Sequence, residues 1–245
     1  MLRFFRLIRR KLLEEEHISK YIWYALGEIL LVMIGILLAL QVNNWNEDRK
    51  LKMEELSTVE LLIRDLKTER EKMFFFYDDL LEQEKGIHRF LEVIDQEQPE
   101  DSVLKYAFFV LDSYLYRPAY PIYESLKSDN SLKLIRSQEV KDTLFIYHEE
   151  SIPYLKDLTE RYLYSKSQSE NILFKYLGYE SVNSTWRLNS LKNVEQLKSN
   201  VEAIHWISKS GRDRAWLISR MDGMFFPDNE RLTNLLISYS AELRE

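Results

Sequence analysis

Residues 21–40 form one uninterrupted apolar run that carries a single charged side chain, Glu28. As an α-helix, a run of this length extends over about 30 Å, which matches the hydrocarbon core of a bilayer. Aromatic residues flank it, with Trp23 near one end and Trp45 beyond the other, as they do at membrane–water interfaces. The run therefore predicts a transmembrane helix over residues 21–45.

Two other interpretations of this run are weaker. A buried helix of a soluble protein rarely combines such length with aromatic flanks. A cleaved signal peptide has a shorter apolar region and a small-residue cleavage site, whereas this run ends in Ala39-Leu40-Gln41. We therefore expect a membrane anchor that is not cleaved.

The distribution of Lys and Arg predicts the orientation of the span. Six basic residues precede it, and three follow within the first ten residues after it. Basic residues concentrate on the cytoplasmic side of membrane spans, so we expect residues 1–20 in the cytoplasm. Apolar residues at helical spacing oppose arginines in Met1–Leu13, which is typical of an amphipathic helix in the headgroup layer. A simple basic topology signal explains the same residues.

Glu28 limits how this span can lie in a membrane. A carboxylate that faces lipid costs about 2.5–3.5 kcal/mol, whereas one that faces another helix can be protonated and hydrogen-bonded. Heptad spacing places Glu28 beside Gly35 and Ala39, small residues that let helices approach closely. Two roles are open for this acid: a structural contact between helices, or a proton-carrying site as in the single-span stator subunits of ion-driven motors. The predicted oligomer interface in the span comprises Glu28, Leu31, Gly35, Leu38, Ala39 and Val42.

The same alternation of three and four residues continues beyond the span. Ten of the twelve positions of this seam from Leu56 to Ile94 are apolar or aromatic, and no proline occurs before Pro99. This pattern predicts a long helical stalk over residues 46–95 with a coiled-coil-like seam, whose weakest point is Gly86. Packing of the seam against later helices of the same chain is the alternative to pairing between chains. The predicted interface continues over Leu56, Val59, Ile63 and Leu66.

Residues 96–245 predict an all-α domain. With only 6 Gly and 5 Pro in 245 residues, a turn-rich β fold is disfavoured. The predicted helix N-caps are Asp101 or Ser102, Ser137 and Asp228.

Several local features of this domain follow from single residues. Pro153 is expected to kink or split the helix that begins after Ser137, and Gly178 to end it as a left-handed C-cap. Residues 181–190 are predicted as a loop, which includes an Asn183-Ser184-Thr185 triplet of the glycosylation type. The helix from Asn193 is expected to break near Ser210-Gly211. Aromatic clusters at Met73–Asp79 and Tyr114–Tyr123 predict either core packing or a partner surface.

The sequence offers little that suggests catalysis. It has no cysteine, which excludes disulfides and thiolate chemistry, and it has no phosphate-binding loop, G-x-S-x-G or H-E-x-x-H motif. His148 and Glu149 are adjacent, and neighbouring residues on a helix point in different directions. We therefore predict no enzymatic activity, no cofactor and no metal. The net charge of −6, with basic residues concentrated in the first twenty, argues against a nucleic-acid partner.

Two stretches, "FFRLIRRKLL" at Phe4–Leu13 and "YALGEILLVMIGILLALQVNNWNE" at Tyr24–Glu47, are the most distinctive of the chain. In them the sequence resembles a bacterial family of single-pass membrane proteins without an assigned activity, and a looser likeness covers Tyr123–Glu150. The resemblance implies an inner-membrane protein of Gram-negative bacteria with a periplasmic helical domain. It implies no catalytic residue.

Together these patterns predict a single-pass, all-α membrane protein. We expect a non-enzymatic scaffold or accessory subunit of a bacterial envelope complex, a homo-oligomer through its transmembrane and stalk helices. Its other expected partners are the lipid bilayer and a further envelope membrane protein. One alternative is a subunit of a proton-driven machine in which Glu28 titrates, and another is a periplasmic helical sensor that binds a small apolar ligand. The predicted segments are cytoplasmic residues 1–20, the span 21–45, the stalk 46–95 and a periplasmic domain 96–245.

Overall fold

The computed structural model describes residues 18–96, 100–111, 116–182, 185–191 and 194–245. The chain divides into two compact units, residues 1–55 and residues 56–245. The second unit begins at Leu56 and so contains most of the predicted stalk together with the predicted distal domain. The amphipathic helix predicted over Met1–Leu13 lies outside the described residues, as do Asn183 and Ser184 of the glycosylation triplet.

The described chain is almost entirely helical, which confirms the predicted all-α class. The helices are α1 Ile18–Asp95, α2 Glu100–Leu111, α3 Pro121–Ser128, a 3-10 turn Ser131–Leu134, α4 Gln138–Phe145, α5 Ile152–Leu173, α6 Val194–Ser199, α7 Val201–Arg220 and α8 Phe226–Arg244. Two π-helical turns, Ile146–Ser151 and Met221–Phe225, connect α4 to α5 and α7 to α8. A small antiparallel hairpin, β1 Leu177–Val182 with β2 Thr185–Leu191, lies between α5 and α6.

Helix α1 is continuous over 78 residues, as the unbroken heptad pattern predicted. Gly86 is not a break in this helix. A Cβ built at Gly86 would lie 2.0 Å from Cγ and 2.4 Å from Cβ of Phe109 in α2. The glycine therefore serves a close approach between α1 and α2.

The second unit is built from three long helical rods. The first is α1 from Leu56 onward, the second is α4 with α5, and the third is α7 with α8. Ion pairs join the first and third rods, from Arg70 to Glu230 at 3.1 Å and from Arg244 to Glu60 at 2.7 Å. Because the later residue in α8 pairs with the earlier residue in α1, these two rods are antiparallel.

The second rod is antiparallel to the third as well. Ser151 donates to Asp228 at 3.0 Å, and Arg161 pairs with Asp213 at 3.0 Å. The first and second rods are therefore parallel to each other. Two apolar clusters fill the space between the elements, and the α1 seam contributes to both. The fully buried seam residues are Val59, Leu66, Met73, Leu80 and Ile87.

Each π-helical turn precedes a proline in the first turn of the next α-helix, Pro153 in α5 and Pro227 in α8. A proline ring clashes with the carbonyl four residues earlier and lacks an N–H donor. A wider π turn relieves that clash without ending the rod. The predicted disturbance at Pro153 is thus a π turn. Asp228 does not begin the last helix, because α8 already starts at Phe226.

Among the other local predictions, one is confirmed and others are wrong. Ser137 is an N-cap as predicted, since its Oγ accepts from the backbone N–H of Val140 at 3.3 Å. Asp101 and Ser102 are not caps, because α2 begins at Glu100. Gly178 lies in β1, and no described glycine has a positive φ.

The predicted loop at residues 181–190 is wrong, because the chain pairs there as a hairpin in which Val182 lies opposite Thr185. Strand-favouring residues such as Tyr179 and Trp186 flank the two turn-favouring residues between the strands. The break expected near Ser210-Gly211 is also wrong. It occurs at Asn200, whose Oδ1 accepts from the N–H of Ala203 at 3.0 Å and caps α7.

Candidate functional site

The predicted interface residues of the span are all exposed in the first unit. The most apolar window of α1 has a mean hydropathy of 2.4 and is 0 % buried. Leu31 is 71 % and Val42 64 % exposed, and no atom of another element lies within 4 Å of a Cβ built at Gly35. A helix that exposes this much apolar surface is not the buried core helix of a soluble domain. It fits a membrane anchor near the N-terminus.

Glu28 is exposed on the same helix as the apolar residues around it. No described residue outside α1 approaches this face, so the described part of the first unit leaves the carboxylate uncovered. Gly35 and Ala39 follow at seven and eleven residues, within the same third of the helix circumference. One face of this helix thus combines an acid with small residues, and none of the other described elements covers it.

The remaining predicted interface residues lie in the second unit. Val59 is 0 % and Leu66 1 % exposed, and both pack into the larger apolar cluster of their own chain. Ile63 packs against the edge of that cluster, and Leu56 is half-buried. These side chains therefore contribute to packing within the chain, which was the alternative interpretation of the seam.

A chain of hydrogen bonds through buried tyrosines crosses the second unit. Asn229 Nδ2 donates to the hydroxyl of Tyr147 at 2.9 Å. Because an amide N–H can only donate, the hydrogen of Tyr147 is free to point at the hydroxyl of Tyr120, 3.0 Å away. Tyr120 in turn hydrogen-bonds Tyr116, whose hydroxyl donates to Glu69 Oε2 at 3.2 Å. The amide at one end can only donate and the carboxylate at the other can only accept, so the hydroxyl hydrogens between them can all point from Asn229 towards Glu69.

These hydrogen bonds join four parts of the fold: α1, the extended segment before α3, the first π turn and α8. Glu69 is 1 % exposed and also accepts from Lys72 Nζ at 2.7 Å. Burial raises the pKa of Tyr147 to about 12 and raises that of Tyr116 further. The phenols therefore stay protonated near neutral pH and act as hydrogen-bond donors that hold these elements together.

The first π turn also places the His148-Glu149 pair. His148 stacks on Tyr123 with ring centroids 3.8 Å apart, and its Nε2 has no hydrogen-bond partner. Burial lowers its pKa to about 3, so the ring is neutral. Glu149 accepts from Lys127 Nζ at 2.7 Å, which lowers the pKa of its carboxyl. Tyr123 contacts both side chains, because its ring stacks on His148 and its hydroxyl donates to Glu149 at 2.9 Å.

A second buried polar chain lies further along the bundle. The guanidinium of Arg214 is fully buried, stacks over the ring of Tyr162 and donates to its hydroxyl at 3.1 Å. Tyr162 donates to Gln83 at 3.1 Å, and Gln83 donates to Asp79 at 2.6 Å. These hydrogen bonds connect all three rods.

The aromatic clusters were predictable from the sequence, whereas these polar chains were not. In the second cluster, Tyr116, Tyr120 and Tyr123 are buried, which confirms core packing. In the first, Met73 and Phe76 are buried, whereas Phe75 is 73 % exposed. The only advance signal for the polar chains was the density of tyrosines, since their partners come from distant parts of the sequence.

Comparison with known families gives one match. Residues 28–98 match the model of a family of unknown function, DUF6090. The match covers less than half of the chain, begins at Glu28 and extends past the end of α1. It supports the expected likeness to an uncharacterised family. No curated protein and no solved structure matches the chain.

Proposed function

We propose that this protein is a single-pass membrane scaffold that self-associates through the Glu28 face of its span. In this proposal the N-terminus lies in the cytoplasm and residues 56–245 lie in the periplasm. There the helical unit is the part of the chain that contacts other components of a bacterial envelope complex. The role is non-enzymatic.

The observation that carries the proposal is the uncovered face of the span. Leu31, Gly35 and Val42 are exposed beside Glu28, and the described residues contain no second helix long and apolar enough to cross a membrane beside them. In a bilayer, a carboxyl group is best placed against another helix, where it finds hydrogen-bond partners. The small residues Gly35 and Ala39 allow close contact between two copies.

The orientation rests on the excess of Lys and Arg before the span. The scaffold role rests on how the polar side chains of the second unit are used. The hydrogen-bonded tyrosines and Asn229 join helices to one another, and His148 is held neutral in the packed interior. Contacts of this kind support a structural role for the second unit.

Single-cysteine cross-linking tests the proposed face directly, because the chain has no cysteine of its own. Leu31→Cys and Val42→Cys lie on the proposed face. Met33→Cys and Leu40→Cys lie at matched depths, about 160° away around the helix. In native membranes under mild oxidation, we expect covalent dimers at Leu31 and Val42 and little at the two control positions. Equal yields at all four positions, or no dimer at any, would contradict the proposal.

A further inference from the structure

A cleft in the second unit lies between the segment that leads into α3 and one face of α5. Lys156, Thr159, Glu160 and Leu163 line it at spacings of three and four residues, so they share one side of α5. Tyr116, Arg117 and Pro118 line the other side. The cleft volume of about 430 Å³ is within the range of small-molecule sites in proteins.

The floor of the cleft is apolar. Tyr116 is 3 % and Thr159 4 % exposed. The Tyr116 hydroxyl is committed to Glu69 and the Thr159 hydroxyl to the carbonyl of Leu155 at 2.8 Å. With both hydroxyls engaged, these two residues offer a ligand a ring and a methyl group.

The rim carries three charges, Arg117 and Lys156 on opposite walls and Glu160 beside Lys156. All three are exposed, and none has an ion pair or side-chain hydrogen bond with any described residue. Elsewhere on the helix that carries Lys156, the cations Arg161 and Lys166 are paired with Asp213 and Glu170. The two rim cations are therefore available to a ligand.

We propose that this cleft binds a small monoanion with an apolar body, whose carboxylate lies between Arg117 and Lys156. Two cations across an apolar floor suit a carboxylate. Glu160 adds a negative charge at the same rim and disfavours a second negative charge on the ligand. The ligand binds at the surface of α5, not among the packed core aromatics. The inference does not depend on self-association of the span.

The test uses the full chain in nanodiscs of zwitterionic lipid, with 3-phenylpropionate as the probe and its uncharged amide as the matched control. Ligand-observed NMR measures binding, and empty nanodiscs correct for partition into lipid. We expect the acid to bind and the amide to bind at least about tenfold more weakly, since a hydrogen bond to a charged group is worth roughly one to two powers of ten in affinity.

Variants assign the site. Arg117→Gln and Lys156→Gln should each weaken binding of the acid by about tenfold, whereas Lys175→Gln, an exposed lysine outside the cleft, should leave it unchanged. Glu160→Gln should strengthen it. Melting temperatures equal to that of the unchanged protein establish that the variants fold. Equal binding of acid and amide, insensitivity to both cation variants, or weaker binding after Glu160→Gln would each overturn the proposal.

Discussion

Replacing Gly86 by alanine tests the packing of α2 on α1, because two opposing effects predict opposite signs. Alanine is favoured over glycine inside a helix by about 1 kcal/mol, so propensity alone predicts a more stable protein. However, the new Cβ would lie 2.0, 2.4 and 2.5 Å from Cγ, Cβ and Cδ1 of Phe109. Carbon atoms in contact are separated by about 3.5–4.0 Å.

The clash cannot be relieved by turning the ring. Because Cβ of Phe109 is fixed by the backbone of α2, the whole helix has to move by about 1 Å or more to restore a normal contact. Overpacking of this kind costs about 1–3 kcal/mol, and we place Gly86→Ala in the upper half of that range. After the gain in propensity, the expected net loss is about 1–2 kcal/mol, or about 2–8 °C in melting temperature for a domain of this size.

Thermal and urea unfolding, followed by circular dichroism, measure this difference on the full chain in nanodiscs. Gly223→Ala is the matched control, since nothing lies within 4 Å of a Cβ at that position. In a Phe109→Ala background the ring atoms are gone, so Gly86→Ala should cost less, with a coupling on the order of 1 kcal/mol. An increase in stability after Gly86→Ala, or strict additivity with Phe109→Ala, would refute the packing argument.

Two further predictions concern the buried polar residues. Burial lowers the pKa of His148 from 6.5 to about 3, so between these values the unfolded chain binds a proton that the folded chain does not. Stability is therefore lost as pH falls below 6.5, by about 1.4 kcal/mol per pH unit. The variant His148→Phe, which keeps a ring on Tyr123, should lose this component. Parallel stability curves for the two proteins from pH 7.5 to 5 would show that His148 is not responsible. Tyr116→Phe removes the hydroxyl that donates to buried Glu69 and should destabilise the protein by about 1–3 kcal/mol. Tyr106→Phe, whose hydroxyl has no hydrogen-bond partner among the described residues, should change stability by less than about 0.5 kcal/mol, and equal effects of the two variants would argue against the Glu69 contact.

Sequence-based predictions were most reliable for features that depend only on residues close together in the sequence. The Ser137 cap was predictable because the interaction is confined to one turn of helix. The continuity of α1 was predictable because heptads persist without a proline. The prediction for residues 181–190 was wrong, because two short strands are stabilised by hydrogen bonds to each other and not by interactions within either strand. The break near Gly211 was misjudged because a glycine that packs against Ile87 is tolerated in a helix.

The apolar run, the long helix that follows it and the helical class could all be predicted from the sequence alone. These features depend on periodicity and on the scarcity of Gly and Pro, which act over a few residues at a time. Which partner the seam of α1 meets depends on tertiary contacts. A seam with a 3.5-residue period is satisfied equally by a second chain or by a later helix. Only the antiparallel return of α7 and α8 brings Glu230 to Arg70 and Asn229 to the tyrosines, because those contacts join residues far apart in the sequence.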